Sequence, residues 1–299
     1  MGSGHTQYQT LIIMNNSITI ITAFFDIGRG NWNRKNGRPN SLECTNETYF
    51  KYFNRLAKLD NDMIIFTTSD LQEEILSMRK GKVTHIITIN LDKKFKFILK
   101  KIAQIQNSDE FKKLIKPKLL RAPEYWSPQY VLINNLKPFF VKKAIDLDLV
   151  DSEFAAWVDF GYIRNNGSIY GITEWHHSFN PNKIHLFSIQ NTLALTDKNA
   201  ILETILNNNP HIIGGVLVAS KEKWPEFYKT VFETQKEFLS SGIVDDDQGI
   251  FLTCASKYPD IFQLNYLGYM KWRDVFRLFN HGSKYNRFIR LAISLKLIR

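Results

Sequence analysis

Short apolar runs alternate with stretches of helical spacing along the first half of the chain. The runs that predict buried strands occupy Ser17–Phe25, Asp62–Thr68, Val83–Ile89 and Phe154–Val158. Helical spacing occupies Glu47–Leu59, Leu71–Arg79, Lys93–Lys118 and Ser127–Ala144. Pro138 lies inside the last of these stretches and predicts a kink or a break there. The alternation predicts an α/β fold, with a mostly parallel central sheet flanked by helices.

The second half of the chain has a more mixed pattern. Apolar runs that predict strands occupy Lys183–Ile189 and His211–Ser220. Helical spacing occupies Glu222–Ser240 and Asp245–Ala255. Because the sequence contains neither an internal repeat nor a low-complexity linker, we predict a single domain over residues 17–282. A basic amphipathic tail is expected to follow over residues 283–299.

The composition is that of a folded protein with a sizeable core. Of the 299 residues, 44% are hydrophobic and 13% are aromatic, which excludes a disordered chain. Cys44 and Cys254 match neither a disulfide framework nor a zinc pattern, so we expect reduced thiols and a cytoplasmic protein. The sequence has no stretch near the roughly 20 apolar residues of a membrane span. Residues 1–10 lack the features of a signal peptide.

Much of the net charge of +10 is concentrated near the end of the chain. Residues 271–299 hold eight basic residues against one acidic residue, Asp274. Phe288, Leu291 and Leu295 have helical spacing, with arginines on the opposite face. This pattern predicts peripheral binding to an anionic inner leaflet, where each basic residue contributes about 1 kcal/mol. A terminal helix packed on the domain is the alternative. No recognition motif accompanies the charge, so we expect no nucleic-acid partner.

One carboxylate ends the most informative strand. The buried run Phe154–Val158 is followed at once by Asp159, and α/β proteins bind their ligands at the carboxyl ends of the strands. A carboxylate in that place is a suitable oxygen ligand for a divalent cation that holds a diphosphate. A core strand followed by an ordinary turn is the alternative.

Two loops after strands carry further polar candidates. The loop after the first strand contains Asp26, Gly28, Arg29 and Gly30. Its glycines let the backbone approach a ligand closely, and its arginine offers parallel donors to a phosphate. It lacks the third glycine of a dinucleotide-binding fingerprint, and an ordinary polar loop is the alternative. Asp70 follows the second strand, where an acid either contacts a ribose or caps the next helix.

A glycine pair and an acidic turn stand out in the second half. Gly214 and Gly215 interrupt an apolar strand, which usually marks a close approach of backbone or ligand. Three consecutive acids, residues 245–247, precede Gln248 at the predicted start of a helix. Capping a helix needs only one carboxylate, and three in a row repel one another. We therefore expect at least one of these acids to be functional.

Four segments resemble a bacterial family. They are residues 20–33 (IITAFFDIGRGNWN), 49–57 (YFKYFNRLA), 61–67 (NDMIIFT) and 156–164 (AWVDFGYIR). These segments are similar to the HtrL/YibB/WlaTC family, which is encoded among lipopolysaccharide, lipooligosaccharide and capsule genes. The resemblance covers most of residues 17–282. In wider outline the chain resembles GT-A glycosyltransferases, especially their retaining group, which implies a GT-A-like catalytic domain.

The resemblance implies a metal cofactor. In the wider group an apolar strand ends in Asp-x-Asp, which holds Mn²⁺ or Mg²⁺ on the nucleotide diphosphate. Asp159 matches the first acid of that motif, and Gly161 stands where the second acid is expected. His281 resembles the late metal-binding histidine of the group, although here a glycine follows it at once. The implied metal ligands are therefore Asp159 and His281.

The resemblance also implies binding and catalytic residues. Nucleotide-sugar binding is expected at Thr22, Phe24, Asp26, Gly28, Arg29, Asp70, Lys137, Gly161, Gly214 and Gly215. Catalysis is expected at Asp246, Asp247 and Gln248. In a retaining reaction Asp247 or Gln248 would stabilise the oxocarbenium-like centre. In an inverting reaction Asp246 or Asp247 would be the base, and the sequence leaves the stereochemistry open.

The predicted function is that of a cytoplasmic glycosyltransferase peripheral to the inner membrane. It would move a sugar from a UDP-sugar, or from a GDP-sugar, to a lipopolysaccharide, lipooligosaccharide or capsule acceptor. One alternative is a nucleotidyl- or phosphotransferase on the same scaffold. Another is a catalytically silent nucleotide- or glycan-binding protein, because the second acid is missing. The glycosyltransferase hypothesis requires Asp159 and the turn near Asp247 to meet at one pocket.

Overall fold

The computed structural model describes residues 17–169 and 171–281, together with residues 291, 292, 295 and 297. Its strands are β1 (Ile18–Ala23), β2 (Met63–Thr67), β3 (Thr84–Thr88), β4 (Phe154–Val158), β5 (Ile184–Ser188), β6 (Ile212–Ser220) and β7 (Phe262–Tyr266). They form one sheet in the order β3-β2-β1-β4-β6-β5-β7. Strand β6 runs antiparallel to its neighbours β4 and β5, and the other pairs are parallel. The predicted α/β class and mostly parallel sheet are confirmed.

Helices connect most of the strands and flank the sheet. They are α1 (Asn46–Leu56), α2 (Gln72–Met78), α3 (Leu91–Lys94), α4 (Lys96–Asn107), α5 (Asp109–Leu114), α6 (Pro128–Asn135), α7 (Lys137–Asp146), α8 (Lys198–Leu206), α9 (Trp224–Ser240), α10 (Asp247–Lys257) and α11 (Val275–Leu278). Short 3₁₀ turns occupy Arg29–Asn31, Arg34–Asn36, Asn40–Leu42, Ser69–Leu71, Leu119–Arg121, Pro123–Tyr125 and Asn166–Ile169. The flanking helices predicted from the sequence are therefore present, with shifted ends.

Apolar side chains cover both faces of the sheet. On one face, Ile21 and Trp157 belong to a core cluster in which Phe140 of α7 stacks on Trp157, with 5.7 Å between ring centroids. On the other face, Phe53 of α1 stacks on Phe160, with 4.0 Å between ring centroids. A parallel sheet is buried on both faces. This is why its strands are continuous apolar runs in the sequence.

The helical stretch 127–144 forms two helices. Helix α6 ends at Asn135, and α7 begins at Lys137. Pro138 lies in the first turn of α7, where its missing backbone donor costs nothing. The predicted break is therefore observed. It places Lys137 at the start of a helix, with its ammonium 2.9 Å from the carbonyl oxygen of Gly214 in β6.

The hydrophobic pattern predicts neither α8 nor β7. Strand β7 pairs only with β5 among the described strands, and its sequence, FQLNY, is half polar. One of those polar residues, Asn265, is buried and donates a hydrogen bond to the carbonyl of Leu186 (3.1 Å). A strand at the edge of a sheet needs a weaker apolar signal than a central one, because one side lacks a partner.

The tail predicted over residues 283–299 lies outside the described residues, apart from residues 291, 292, 295 and 297. The boundary after residue 282 accordingly stays a prediction. In the described part of the chain, the helices lack the combined length and apolar character that a membrane span requires.

Candidate active site

A cavity of about 460 Å³ opens at the carboxyl ends of β1 and β4. Its lining comes from the ends of these two strands and the loops that follow them, from α1, α6 and the start of α7, and from Arg273. The volume lies within the usual range for a small-molecule site. The position is the one at which α/β sheets bind their ligands.

Three arginines line the cavity without a carboxylate partner. Arg29, Arg164 and Arg273 form no salt bridge with another described residue. Arg29 donates hydrogen bonds to the hydroxyl of Tyr49 (2.6 Å) and to the carbonyl of Leu42 (3.1 Å). Its Nε–H group is buried and has no hydrogen-bond partner among the described residues. Unpaired guanidinium groups of this kind are suited to bind an anion.

Arg164 and Arg273 are close enough to repel each other. Burial lowers the pKa of Arg273 below its ordinary value, and the positive charge of Arg164 lowers it further. The guanidinium of Arg164 lies 5.6 Å from the ring centroid of Tyr52, and that of Arg273 lies 5.1 Å from that of Tyr162. Each cation is thus held by an aromatic ring. An anion bound near both would relieve their repulsion.

Three tyrosines are among the aromatic side chains that line the cavity. Tyr49, Tyr52 and Tyr130 all line the cavity. Burial raises the pKa of Tyr49 to about 12 and also raises the pKa of Tyr130. Both phenols are therefore protonated at neutral pH. Aromatic faces at a ligand site can stack on a planar ring such as a nucleobase.

The ammonium of Lys137 joins the cavity to the sheet. It donates to the carbonyl of Gly214 (2.9 Å) and to the carboxylate of Asp247, and it lies 2.9 Å from Oδ1 of Asp159. Burial opposes the charge of Lys137, but the two carboxylates raise its pKa above the ordinary value. Lys137 therefore stays charged, and it brings together two acids that are far apart in the sequence.

Of the two carboxylates paired with Lys137, that of Asp159 is the one that reaches the cavity. Its side chain is 38% exposed, whereas that of Asp247 is 4% exposed. The indole of Trp157 donates to Oδ1 of Asp159 (2.7 Å), the same oxygen that faces Lys137. The backbone N–H of Asp159 donates to the carbonyl of Gly215 (2.8 Å). These contacts fix Oδ1 and the backbone, and they leave Oδ2 as the oxygen free for a ligand among the described contacts.

Two glycines are required by close approaches. A Cβ on Gly214 would lie 1.7 Å from Oδ2 of Asp247, so any side chain there would displace that carboxylate. A Cβ on Gly161 would lie 3.2 Å from the ring of Tyr49. A second acid at position 161 would therefore require the Tyr49 ring to shift by a few tenths of an ångström.

The acidic turn lies behind Lys137 and does not line the cavity. Asp246 is the N-cap of α10, where it accepts a hydrogen bond from the backbone N–H of Gln248 (3.0 Å). Asp245 is buried, and this burial raises its pKa well above the ordinary value, with a further contribution from Glu124. Of these three acids, Asp247 is the one that contacts Lys137. The acidic turn is therefore connected to the cavity through the ion pair between Asp247 and Lys137.

The sequence match to known proteins covers the whole of this region. A family model described as "Bacterial protein of unknown function (HtrL_YibB)" matches residues 16–281. The chain belongs to the HtrL_YibB family. Protein HtrL of Escherichia coli (strain K12) is 47% identical over 270 residues, which cover 90% of this chain and 95% of that protein. The family resemblance of the four segments is thereby confirmed.

Solved structures show a more distant likeness. Mouse xyloside xylosyltransferase 1, in its apo form, is 10% identical, with a TM-score of 0.39 and coverage of 83% of this chain and 84% of that one. The 4-diphosphocytidyl-2C-methyl-D-erythritol synthase of Anaerococcus prevotii DSM 20548 is 10% identical, with a TM-score of 0.35 and coverage of 95% and 100%. A likeness at these scores assigns no activity to this family member.

The structure brings part of the predicted site together. Of the predicted residues, the cavity lining includes Phe24, Asp26, Arg29, Lys137, Asp159 and Gly161. Gly214 and Asp247 are connected to them through the ammonium of Lys137. Asp159 and Asp247 of the acidic turn thus both contact the ammonium of Lys137, and of these two acids Asp159 faces the cavity.

Other predicted residues do not line the cavity. Thr22 is fully buried in β1, and its hydroxyl has no hydrogen-bond partner. Gly28 takes a positive φ of 77° in the loop after β1, a conformation that favours glycine. Asp70 is exposed on the 3₁₀ turn that follows β2. Asp246 and Gln248 lie at the start of α10. Their predicted contacts with a donor or an acceptor stay predictions.

His281 is held away from the cavity lining. Its Nε2 accepts a hydrogen bond from the backbone N–H of Ser178 (2.9 Å), and its ring stacks on that of His177 at 5.1 Å between centroids. Its backbone N–H donates to the carbonyl of His176 (2.8 Å). These contacts engage Nε2, one of the two ring nitrogens of the histidine that was predicted to hold a metal together with Asp159.

The described side chains offer a divalent cation few ligands beside Asp159. The described residues contain no group of three His, Cys, Asp or Glu side chains that could hold one. Oδ1 of Asp159 lies 2.9 Å from Nζ of Lys137, so a cation at this carboxylate would bind Oδ2, with the ammonium as a second positive charge nearby. The two positive charges would repel each other. The Mn²⁺ or Mg²⁺ expected from the resemblance would therefore have one carboxylate oxygen of the predicted ligand pair, and its binding stays a prediction.

Arg164 and Arg273 are candidates that the sequence pattern does not single out. Arg164 ends the segment 156–164, but the pattern assigns it no role. Arg273 belongs to the stretch that counts toward the basic tail. The chain returns to the cavity at Arg273 only through the tertiary fold, so no local signal could identify it.

Proposed function

We propose that the protein is a glycosyltransferase that binds a nucleotide-sugar donor in this cavity. The observation that carries the proposal is the convergence of three unpaired guanidinium groups and one oriented carboxylate, Asp159, at the carboxyl ends of two parallel strands. A donor of this class combines two negative phosphates with a sugar carbon that becomes positive during transfer. The cavity offers a matching group to each part.

The donor's diphosphate is assigned to the arginines. Arg29, Arg164 and Arg273 neutralise the charge that develops on the leaving diphosphate. The nucleobase stacks on the tyrosine side of the lining, with Tyr49 and Tyr130 as hydrogen-bond donors. A UDP-sugar is the favoured donor and a GDP-sugar the second choice.

The sugar carbon that is bonded to the diphosphate is placed next to the carboxylate of Asp159. The bond between this carbon and the diphosphate breaks, and its electron pair leaves on the phosphate oxygen. The acceptor hydroxyl bonds to the carbon and gives its proton to Oδ2 of Asp159, which also stabilises the positive sugar. Lys137 and Trp157 hold the opposite oxygen and so orient the carboxylate. Asp247 acts through Lys137 as a positioning residue.

The acceptor is assigned to the surface glycans of a bacterium, as a glycolipid or a polysaccharide. The basic residues after position 271 support a position at the anionic inner leaflet, where lipid-linked acceptors lie. Deletion of residues 285–299 should then reduce sedimentation with anionic liposomes. Equal sedimentation of both proteins would remove the membrane part of the proposal.

A donor panel tests the proposed function. We expect UDP to raise the melting temperature and a UDP-sugar with a suitable acceptor to release UDP. Asp159→Asn should reduce turnover at least about 100-fold, the usual contribution of a positioned proton acceptor, and should leave UDP binding in place. Full turnover in this variant would contradict the role of Asp159. Release of pyrophosphate would indicate a nucleotidyltransferase, and binding without turnover would indicate a silent binding protein.

A further inference from the structure

The cationic groups that a diphosphate requires are already present in the described chain. Arg29, Arg164 and Arg273 bring three guanidinium groups to one cavity, and none of them forms a salt bridge with a described carboxylate. Arg29 also keeps a buried Nε–H without a partner. A diphosphate with two to three negative charges would satisfy these groups with charge-assisted hydrogen bonds.

One oxygen of the carboxylate that would otherwise attract a metal is already paired. Oδ1 of Asp159 lies 2.9 Å from the ammonium of Lys137 and accepts a hydrogen bond from Trp157 (2.7 Å). Lys137 is itself fixed by Asp247 and by the carbonyl of Gly214, so it cannot leave without exposing a buried charge. A fixed cation therefore occupies the neighbourhood of Asp159.

The packing around Gly161 also disfavours a second ligand at this position. A Cβ at this position would lie 3.2 Å from the Tyr49 ring, which is tighter than ordinary contact. Tyr49 is in turn bonded to Arg29 through its hydroxyl. Gly161, which stands where the second acid is expected, therefore packs against the tyrosine that holds Arg29 at the cavity.

We infer that this site binds the diphosphate of its donor without a divalent cation, with Arg29, Arg164 and Arg273 carrying the positive charge. Lys137 holds the place beside Asp159 that a metal ion would take. The inference rests on the proposed function, because it concerns the donor of that same reaction.

Calorimetric titration of UDP tests the inference on the wild-type protein. We expect the Kd in excess EDTA to agree within about twofold with the Kd in Mn²⁺ or Mg²⁺. Electron paramagnetic resonance in the presence of UDP should show no Mn²⁺ signal beyond that of the same UDP solution without protein. Added salt should weaken binding, because the interaction is between exposed charges.

Single arginine variants test which groups carry the charge. Arg164→Gln and Arg273→Gln should each weaken UDP binding about 10-fold or more, the usual effect of removing a charge-assisted hydrogen bond. Arg34→Gln is the matched control, since Arg34 lies in the loop after β1 but does not line the cavity. This control should bind UDP as the wild type does.

The outcomes separate the inference from the function on which it rests. Binding that Mn²⁺ strengthens 10-fold and EDTA abolishes would overturn the inference and leave the glycosyltransferase proposal standing. Arginine variants that bind UDP as tightly as the wild type would also overturn it. If neither UDP nor GDP binds in any of these buffers, the proposed function itself is wrong.

Discussion

The two sides of Lys137 differ in charge and in access. On the open side, Asp159 faces a cavity that is lined by unpaired arginines. On the closed side, Asp247 is buried together with Asp245 and Glu124, and the ammonium of Lys137 is the cation that its carboxylate contacts. Cationic groups outnumber carboxylates among the residues that line the open side (Arg29, Lys137, Arg164 and Arg273 against Asp26, Glu43 and Asp159), whereas the acids are in excess on the closed side.

This difference shows which acids face the cavity. The cost of three adjacent carboxylates at 245–247 predicts that at least one of them is functional, and the family resemblance implies catalytic roles for Asp246 and Asp247. The structure buries two of the three acids, and the burial raises the pKa of Asp245. Perturbed pKa values occur in structural networks as well as in active sites. Of the two acids that contact Lys137, Asp159 is the one that the fold presents to the cavity.

Substitution of Lys137, the cation shared by Asp159 and Asp247, should lower the free energy of unfolding most. Lys137→Met leaves the buried carboxylate of Asp247 without its partner, so we expect a loss of about 3–5 kcal/mol in the free energy of unfolding. Urea denaturation measures this loss. Lys142→Met on the same helix is the control, because Lys142 pairs with Asp146 at the surface and should cost about 0.5 kcal/mol or less.

A second variant distinguishes lost pairing from lost packing at Lys137. If the destabilisation comes from an unpaired charge, Lys137→Met combined with Asp247→Asn should be more stable than Lys137→Met alone. Equal stability of the two proteins would show that the closed side does not depend on this ion pair.

The contact between Gly214 and Asp247 should have an intermediate effect. In Gly214→Ala the new methyl group displaces the carboxylate from Lys137, since its Cβ would lie 1.7 Å from the carboxylate oxygen. We expect a loss of about 1–3 kcal/mol in thermal or chemical unfolding. Gly30→Ala is the matched control, because its Cβ would lie 3.7 Å from the nearest atom. A Gly214→Ala protein as stable as this control would contradict the geometry.

The pH dependence of stability should give the smallest effect. The pKa of Asp245 is raised in the folded protein by burial, so its protonated form is favoured there. The resulting stability is fully present below the unfolded pKa of about 4 and is lost as pH rises through the folded pKa. Asp245→Asn should therefore raise stability by about 1 kcal/mol at pH 8 and change it less at pH 4.

Denaturation across this pH range checks the expectation for Asp245. Asp92→Asn serves as the exposed control. If the free energy of unfolding of Asp245→Asn varies with pH in parallel with that of the wild type, the raised pKa of Asp245 does not contribute to the pH dependence of stability.

The fold was largely predictable because its central strands are buried on both faces. Continuous apolar runs locate β1, β2 and β4, and Pro138 locates the break between α6 and α7. The direction of β6 was not predictable, since strand pairing depends on the path of the whole chain. The edge strand β7 was missed because its burial is partial and its sequence is half polar.

The site was predictable only where it follows a strand. Asp159 and Arg29 lie just beyond β4 and β1, and the topology of parallel sheets places such residues at one edge. Arg273 reaches the cavity from a distant part of the chain, and His281 is bound by a neighbouring loop instead. Neither position can be predicted from the neighbouring residues in the sequence, because both depend on tertiary packing.

The position of a bound nucleotide tests the central claim most directly. In crystals of the full chain soaked with UDP, the account predicts diphosphate oxygens within about 3.2 Å of the guanidinium groups of Arg164 and Arg273, beside Asp159. UDP bound away from this cavity, with both arginines unoccupied, would contradict the claim that the open side of Lys137 is the donor site.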